Sequence, residues 1–302
     1  MMKDSHKKLL LKFINYHKVV TYKSEHSLIS YETDLKQFFN YLDEYEEIES
    51  FSEVNNIVIR SFMSYLNKNG LNKRSINRKL SAIKAFYKYL LMEEKVLEDP
   101  TTQVSAPKFE KPLPVVLSDR EIKEITSVIN VADILGIRDR AMIELLYSSG
   151  IRASEILSVG EFNFNFEERE LRVIGKGEKE RVTFFSNRAL EWIKKYISEK
   201  QKKYKNYSKN VLFVNSKGES LSDRSLRRII EAYGKKAGII KQVSPHTFRH
   251  SFATELMNRG LDIKFLQELL GHSSIATTQI YTTVSKDHLK EVYMNTHPFA
   301  KE

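Results

Sequence analysis

A short proline-rich segment divides this 302-residue chain into two parts. Residues 99–117 hold four of the six prolines in the sequence. Proline fixes its own backbone φ, lacks an N–H donor and disfavours helix at the residue before it. Helical patterns stand on both sides, and a chain of this length can form two separate cores. We therefore predict a helical N-terminal domain at 1–105, a linker at 106–117 and a second domain at 118–302.

The first hundred residues show the spacing of amphipathic helices almost throughout. In the last of these helices the apolar residues recur at steps of three and four, from Ile76 to Leu90. The pattern predicts a four-helix domain, with helices at 7–20, 27–45, 53–68 and 73–94.

Local signals mark where several helices of the second domain begin and end. Ser118 with Glu121 three residues later has the pattern of a capping box. A helix at 139–149 is predicted to end at Gly150, because glycine readily adopts the left-handed conformation that closes a helix. Ser244 is a further N-cap candidate.

Two short runs in the second domain have the pattern of strands. They are at 171–174 and 181–185, and the residues between them, around Lys176, are predicted to form a hairpin turn. The fold class is therefore mainly α, with one small antiparallel β-sheet in the second domain.

Basic residues concentrate in the second half of the N-terminal part. Residues 54–92 contain eight lysines and arginines and no acid, and the whole chain has a net charge of +10. A single charged run is most often a solvated helix face. Here the same helix also has an apolar face, and a basic front on an apolar back suits a DNA phosphate backbone. The predicted DNA-binding residues are Lys73, Arg74, Arg78, Lys79 and Lys84.

Five short polar blocks follow one another in the second domain. They are Gly-Ile-Arg-Ala-Ser-Glu (150–155), Gly-Lys-Gly-Glu-Lys (175–179), His-Thr-Phe-Arg-His (246–250), Leu-Gly-His-Ser-Ser (270–274) and Gln-Ile-Tyr-Thr (279–282). Two arginines, a lysine and two histidines can hold and protonate a phosphodiester, and a tyrosine can attack one. The candidate catalytic residues are Arg152, Lys176, His246, Arg249, His272 and Tyr281.

Each block alone also has an ordinary interpretation, such as a capping histidine, a polar hairpin tip or a half-buried tyrosine. His246 and His250 have the spacing of a zinc pair, but Thr247 stands where a metalloprotease has glutamate and no third ligand is near, so no metal site is predicted. The glycines around Lys176 do not match a nucleotide-binding loop.

The order and spacing of the five blocks resemble the tyrosine recombinase, or phage-integrase, family. The resemblance extends over essentially the whole chain and is most specific at 246–282. Chain size and the closing Thr296-His297-Pro298 are most similar to the Xer branch, which resolves chromosome dimers. Phe248 and Glu255 depart from the residues common in the family, at positions that are not catalytic.

The resemblance implies a helical, SAM-like core-binding domain followed by a catalytic domain. Arg152 and Arg249 would hold the scissile phosphate, Tyr281 would attack it, and Lys176 would protonate the leaving oxygen. His246 would assist proton transfer and His272 would donate a hydrogen bond to the phosphate. Independently of the resemblance, Glu155 stands three residues after Arg152 and can hold its guanidinium in a bidentate pair, unless the two form an ordinary salt bridge on a helix surface. No cofactor is implied.

The implied partners are a double-stranded DNA recombination site and other copies of the chain. Four protomers, two dimers in a synapse, would exchange strands, with a paralogous recombinase or a DNA translocase as further candidates. A C-terminal helix at about 287–295 would pass to a neighbouring protomer, unless it packs on its own domain. No secretion signal or membrane span is recognisable, which predicts a cytoplasmic protein.

Three alternatives remain open at the level of the sequence. A transposon or phage integrase would use the same chemistry on mobile-element ends. A relaxing topoisomerase would share the chemistry without needing a specific site. A catalytically silent DNA-binding protein could share the fold. If Tyr281 were not the nucleophile, Tyr293 would be the next candidate.

Overall fold

The computed structural model describes residues 3–108, 114–175, 180–204, 209–271 and 286–300. The chain forms two compact units, Met1–Pro112 and Leu113–Glu302. The division between them falls inside the proline-rich segment, and each unit has a hydrophobic core of its own. Among the described residues, no helix combines the length and the apolar character needed to cross a bilayer.

The N-terminal unit contains four α-helices, as the apolar spacing predicts. They are α1 (Asp4–Val19), α2 (Glu25–Tyr41), α3 (Asn56–Lys68) and α4 (Lys73–Met92). Their inward faces meet in a core rich in aromatic rings, with Phe13, Phe39 and Phe86 fully buried.

Six of the eight helix boundaries predicted for this unit differ from the structure, by one to four residues, and the largest difference is at the end of α2. The helix predicted at 27–45 is interrupted, because α2 ends at Tyr41 and a π-helical turn, Leu42–Glu46, follows it. The helix predicted from residue 53 begins three residues later. The reason is local: the Asn55 side chain accepts hydrogen bonds from the N–H groups of Ile57 and Val58 and so caps α3.

The second unit is mostly helical with one small sheet. Its helices are α5 (Asp119–Ser127), α6 (Ile134–Ser149), α7 (Ala153–Ser158), α8 (Asn187–Lys203), α9 (Asp223–Lys236), α10 (Pro245–Asn258), α11 (Ile263–Leu270) and α12 (Lys286–Thr296). Its strands are β1 (Phe164–Asn165), β2 (Glu170–Ile174) and β3 (Glu180–Phe184). α6 is buried along almost its entire length and forms the centre of the unit.

Three of the helix-end signals predicted for the second unit are confirmed. Ser118 and Glu121 form a capping box at α5, Gly150 closes α6 with a φ of +59°, and Ser244 caps α10. The start of α6 was predicted five residues too late. The side chain of Asp133 accepts a hydrogen bond from the Gly136 N–H and begins the helix there.

The sheet is antiparallel, in the order β1-β2-β3. The two longer strands match the prediction to within one residue. The edge strand β1 was not predicted, since two residues are too few to show an alternating pattern. In the register of β2 and β3, Val173 lies opposite Arg181. This pairing places Arg181 near the start of β3.

Candidate active site

A glycine turn positions the first candidate arginine. Gly150 lies in the left-handed region, and a Cβ at this position would come within 2.3 Å of the Phe252 ring. Only glycine fits both constraints. The chain therefore turns sharply after α6 and places Arg152 at the N-cap of α7, where its side chain is 30% exposed.

Glu155 holds Arg152 through both of its carboxylate oxygens, but not as the bidentate pair that was predicted. One oxygen accepts from the Arg152 guanidinium and the other from its backbone N–H, both at 2.7 Å. The bidentate partner is Arg181, whose Nη1 and Nη2 donate to the same two oxygens at 2.6 and 2.8 Å. Arg181 lies on β3 and reaches the Glu155 carboxylate on α7. The Glu155 side chain is buried, with only 2% of it exposed.

These contacts keep the Glu155 carboxyl group ionised. Burial by itself raises the pKa of a carboxyl group. Here the hydrogen bonds from Arg181 and from the Arg152 backbone, the attraction of the Arg181 charge and the hydrogen bond from the Arg152 guanidinium lower the pKa of Glu155 to about 2. Glu155 is therefore a permanent anion at neutral pH, fixed between two cations.

The second candidate arginine, Arg249, lies one helical turn into α10. Pro245 occupies the first position of this helix after the Ser244 cap. The Nη1 of Arg249 donates to the Gly150 carbonyl at 2.6 Å and its Nη2 to the Leu270 carbonyl at 2.7 Å. Burial, followed by the nearby positive charges of Arg152 and Arg181, lowers the pKa of Arg249 to about 10. Arg249 remains a cation at neutral pH.

Arg152 and Arg249 converge on the end of α11. The Nη2 of Arg152 donates to the Gly271 carbonyl at 3.0 Å, next to the Leu270 carbonyl that Arg249 contacts. Two guanidinium groups are therefore held at adjacent carbonyls, although 97 residues separate them in sequence. Such a pair can bind an anionic phosphate with several charge-assisted hydrogen bonds.

A pocket of about 380 Å³ opens beside this pair, between α10 and α11. His246, Arg249 and His250 line its polar side, and Ala253 and Leu266 contribute to its apolar side. His246 is exposed at the start of α10. The helix N-terminus adds N–H groups that favour an anion on this side.

Three of the six candidate catalytic residues, Lys176, His272 and Tyr281, lie outside the described residues. Their roles therefore stay predictions. The alternative nucleophile Tyr293 is described, and its position argues against that role. It is fully buried, its hydroxyl donates to the Ser148 carbonyl at 2.9 Å, and burial raises the pKa of its phenol.

The candidate DNA-binding residues on α4 do not all lie on one surface. Lys73, Arg74 and Lys84 are exposed, whereas Lys79 is only 5% exposed. Lys79 donates to the buried carboxylate of Asp34 at 2.8 Å, and Arg78 pairs with the other oxygen of the same carboxylate. The prediction that Lys79 contacts DNA is therefore wrong, because its ammonium group is buried and paired with Asp34.

The sequence contains a signal that could have shown that Lys79 points inward. It stands between Ile76 and Ile83 at helical spacing, directly on the apolar stripe of α4. Arg181, by contrast, was not identified as a site residue. A buried glutamate requires a cation, but nothing local in the sequence indicates which of the 49 lysines and arginines meets Glu155.

The C-terminal helix packs on its own domain in this single chain. Leu289 and Tyr293 of α12 are buried in a cluster that includes Phe184 and Phe252. Lys290 pairs with Glu168. Exchange of this helix between protomers remains a prediction about the assembled state.

Comparison with known proteins identifies the family to which this chain belongs. The profile described as "Phage integrase family" matches residues 116–288, and "Phage integrase, N-terminal SAM-like domain" matches residues 10–94. A tyrosine recombinase XerC of Leptospira interrogans is 41% identical over 297 residues, which cover 96% of this chain and 93% of the relative. A tyrosine recombinase XerD of Staphylococcus saprophyticus is 37% identical and covers 96% and 97%.

Solved structures show the same fold. The XerH recombinase bound to its difH substrate before cleavage superposes with a TM-score of 0.67 at 24% identity, covering 87% of this chain and 78% of that one. The Tn1549 transposon integrase with circular-intermediate DNA gives 0.72 at 19% identity, covering 96% and 98%. Because the family profile covers more than half of the chain and relatives about 40% identical extend along nearly all of it, this protein belongs to the phage integrase family and is a tyrosine site-specific recombinase.

Proposed function

We propose that this recombinase cuts and rejoins DNA strands through a 3′-phosphotyrosyl intermediate, in the Xer-type resolution of chromosome or plasmid dimers. The observation that carries the proposal is the convergence of Arg152 and Arg249 on adjacent carbonyls at the end of α11. Two fixed guanidinium groups beside an exposed histidine form a preorganised site for a phosphodiester in its transition state.

The proposed chemistry assigns one step to each residue. The phenol oxygen of Tyr281 attacks the scissile phosphorus, and the bond from phosphorus to the 5′-oxygen breaks. Lys176 transfers a proton to the leaving 5′-oxygen, while His246 assists removal of the tyrosine proton. His272 donates a hydrogen bond to a non-bridging oxygen. The bond energy is retained in the phosphotyrosine, so a free 5′-hydroxyl can reverse the step on a new strand without ATP.

The two arginines answer the main electrostatic difficulty of this reaction. Negative charge accumulates on the non-bridging oxygens as the nucleophile approaches, and a free tyrosine has a pKa of about 10. The positive charge of Arg152 and Arg249 stabilises those oxygens and favours the phenolate. Loss of one such donor in comparable sites lowers the rate by about 100- to 1,000-fold.

The N-terminal unit is proposed to hold the DNA through its basic face on α4. Lys73, Arg74 and Lys84 are exposed there, and Arg78 lies at its margin with a side chain 50% exposed. These side chains would contact phosphates and thus set affinity and register without reading bases. The double-stranded recombination site, and a tetramer assembled on it, follow as the proposed partners.

The Xer role is favoured over the mobile-element alternative by the relatives. Proteins named XerC and XerD match along almost the whole chain at about 40% identity. The transposon integrase shares the fold but is only 19% identical, so it gives weaker support for a mobile-element activity of this chain.

A covalent trapping assay tests the proposal. The protein is incubated with labelled duplexes that carry a Xer-like palindromic core and a nick near the cleavage point, with EDTA present, and run on a denaturing gel. Wild type is expected to form a protease-sensitive shifted band, and Tyr281→Phe to bind the duplex without forming it. Tyr293→Phe is the matched control and should still form the adduct.

Two results would contradict the proposal. An adduct formed by Tyr281→Phe would exclude Tyr281 as the nucleophile. Salt-sensitive binding without any adduct, on Xer-like sites and on DNA from the gene's own neighbourhood, would instead favour a silent DNA-binding protein.

A further inference from the structure

Three arginines, not two, meet at the end of α11. The carbonyls of Leu269, Leu270 and Gly271 each accept a hydrogen bond from a different arginine. Arg181 contacts the first through Nε at 2.9 Å, Arg249 the second and Arg152 the third. These carbonyls lack partners within the helix and lie at the negative end of its dipole, so they favour cations.

Arg181 differs from the other two arginines in where its donors point. Its Nε is directed at the Leu269 carbonyl, and both terminal nitrogens are directed at Glu155. Its side chain is 10% exposed, against 30% for Arg152. Arg181 is therefore oriented toward the protein, whereas a larger part of the Arg152 side chain is exposed.

The packing around Arg181 fixes its position from the opposite side. Gly271 closes α11 with a φ of +63°, and a Cβ there would lie 2.8 Å from the Cδ of Arg181. The arginine thus occupies the space that a side chain at 271 would fill. A displacement of Arg181 would move the Glu155 carboxylate and the helix end together.

The Glu155 carboxylate offsets part of the positive charge of the three arginines. Arg152, Arg181 and Arg249 are close enough for the first two to lower the pKa of the third. The Glu155 carboxylate accepts hydrogen bonds from both Arg152 and Arg181 within this group. Without a fixed anion, three mutually repelling guanidinium groups would separate, and the geometry toward a phosphate would be lost.

We propose that Arg181 is a positioning residue of the strand-cleavage reaction, which holds Glu155, and through it Arg152, in register with the end of α11. In this role Arg181 acts through Glu155, and not directly on the phosphate or the nucleophile. The proposal rests on the proposed function, because the reaction it supports is transfer of the phosphate to tyrosine.

Cleavage of a nicked duplex in single turnover, at saturating protein, tests this role. Arg181→Met is expected to lower the cleavage rate by about 100-fold, since a displacement of about 1 Å at a reacting group costs that much. The dissociation constant for DNA should change less than about threefold. Arg181→Lys keeps the charge but not the planar fork, and should recover part of the rate. Arg172→Met is the matched control, because Arg172 is exposed on the neighbouring strand.

A double-mutant cycle with Glu155→Gln separates positioning from general stability. If Arg181 acts through Glu155, adding Arg181→Met to Glu155→Gln should lower the rate by less than about threefold more. The pH profile gives a second readout. In Arg181→Met the pKa of Glu155 should rise, so the rate relative to wild type should fall further as the pH is lowered. Carbon-13 NMR of the Glu155 carboxyl, without DNA, reports the same titration.

Each outcome decides the question. Wild-type rates in Arg181→Met, or full additivity with Glu155→Gln, would overturn the proposal and leave the proposed function intact. If Arg181→Met does not fold, Arg181→Lys carries the test, and a wild-type rate and pH profile in that variant overturn it. If wild type forms no adduct on any site, the proposed function fails first, and this role fails with it.

Discussion

At the scale of single residues, Glu155 is the anion around which the site is organised. Its carboxylate binds two guanidinium groups and one backbone N–H at the start of α7. A buried ion pair of this kind is strongly destabilising when one partner is removed. The energetic consequence for the fold depends on pH, because the carboxylate must remain ionised.

Glu155→Gln is expected to remove a pH-dependent part of the stability. The pKa of Glu155 is about 2 in the folded protein against an ordinary 4.5, so the unfolded state binds the proton more tightly. The contribution, about 3 kcal/mol, is present above pH 4.5 and is lost as the pH falls through 2. Urea unfolding of wild type and variant near pH 7 and pH 3 measures it. A difference in unfolding free energy that stays constant with pH contradicts the expectation.

Lys79 and Lys84 should respond to replacement in opposite ways. Lys79→Met leaves Asp34 with Arg78 alone and should lower the unfolding free energy by about 2 kcal/mol, with little change in the salt dependence of DNA binding. Lys84→Met removes an exposed cation, so stability should be retained while the slope of log K against log salt falls by about 1. Urea unfolding and binding titrations at several salt concentrations measure both. The reverse pattern would restore Lys79 as a DNA contact.

At the scale of elements, the turn after α6 connects Arg152 and Arg249, the two arginines proposed to bind the phosphate. Gly150 lets the chain turn toward Arg152, and its carbonyl accepts the hydrogen bond from Arg249. A single local conformation therefore affects two side chains that are distant in sequence. The turn is also a contact point with Phe252 on α10.

Gly150→Ala should lower the unfolding free energy by about 3 kcal/mol, from left-handed strain and from overlap with the Phe252 ring. Gly238→Ala is the matched control. Gly238 follows α9 with a φ of +71° and has open space around its Cα, so only the strain, about 1 kcal/mol, applies. Urea denaturation compares the two. Equal losses would show that the contact with Phe252 is readily relieved.

At the scale of the whole molecule, each of the two units has a hydrophobic core of its own. The core of the N-terminal unit includes residues beyond α4, since Val96 and Val104 are 6% and 3% exposed within it. The first part of the proline-rich segment therefore belongs structurally to the helices before it.

A fragment of residues 1–112 is expected to fold by itself, with helical circular dichroism and one cooperative urea transition. A fragment of residues 1–94 should unfold at lower urea, because it loses the burial of Val96 and Val104, together worth about 3 kcal/mol. A non-cooperative transition in the longer fragment would show that the first unit depends on the second.

The sequence by itself determined the features that local physics decides. The caps at Ser118 and Ser244, the glycine end of α6 and the apolar faces of α2 and α4 each depend on residues within a few positions of one another. The order of the polar blocks indicated the family, because the chemistry requires those residue types. Boundaries such as the start of α6 were missed where a neighbouring cap, Asp133, competed with the pattern.

Only the tertiary structure decided which charges meet. Glu155 and Arg181 are 26 residues apart, and the carbonyl that Arg152 contacts lies 119 residues away. Periodicity places a side chain on a face but does not select its partner on another element. The burial of Lys79 against Asp34 and the three arginines at the end of α11 arise from packing, where each buried charge must find a counter-charge or a carbonyl.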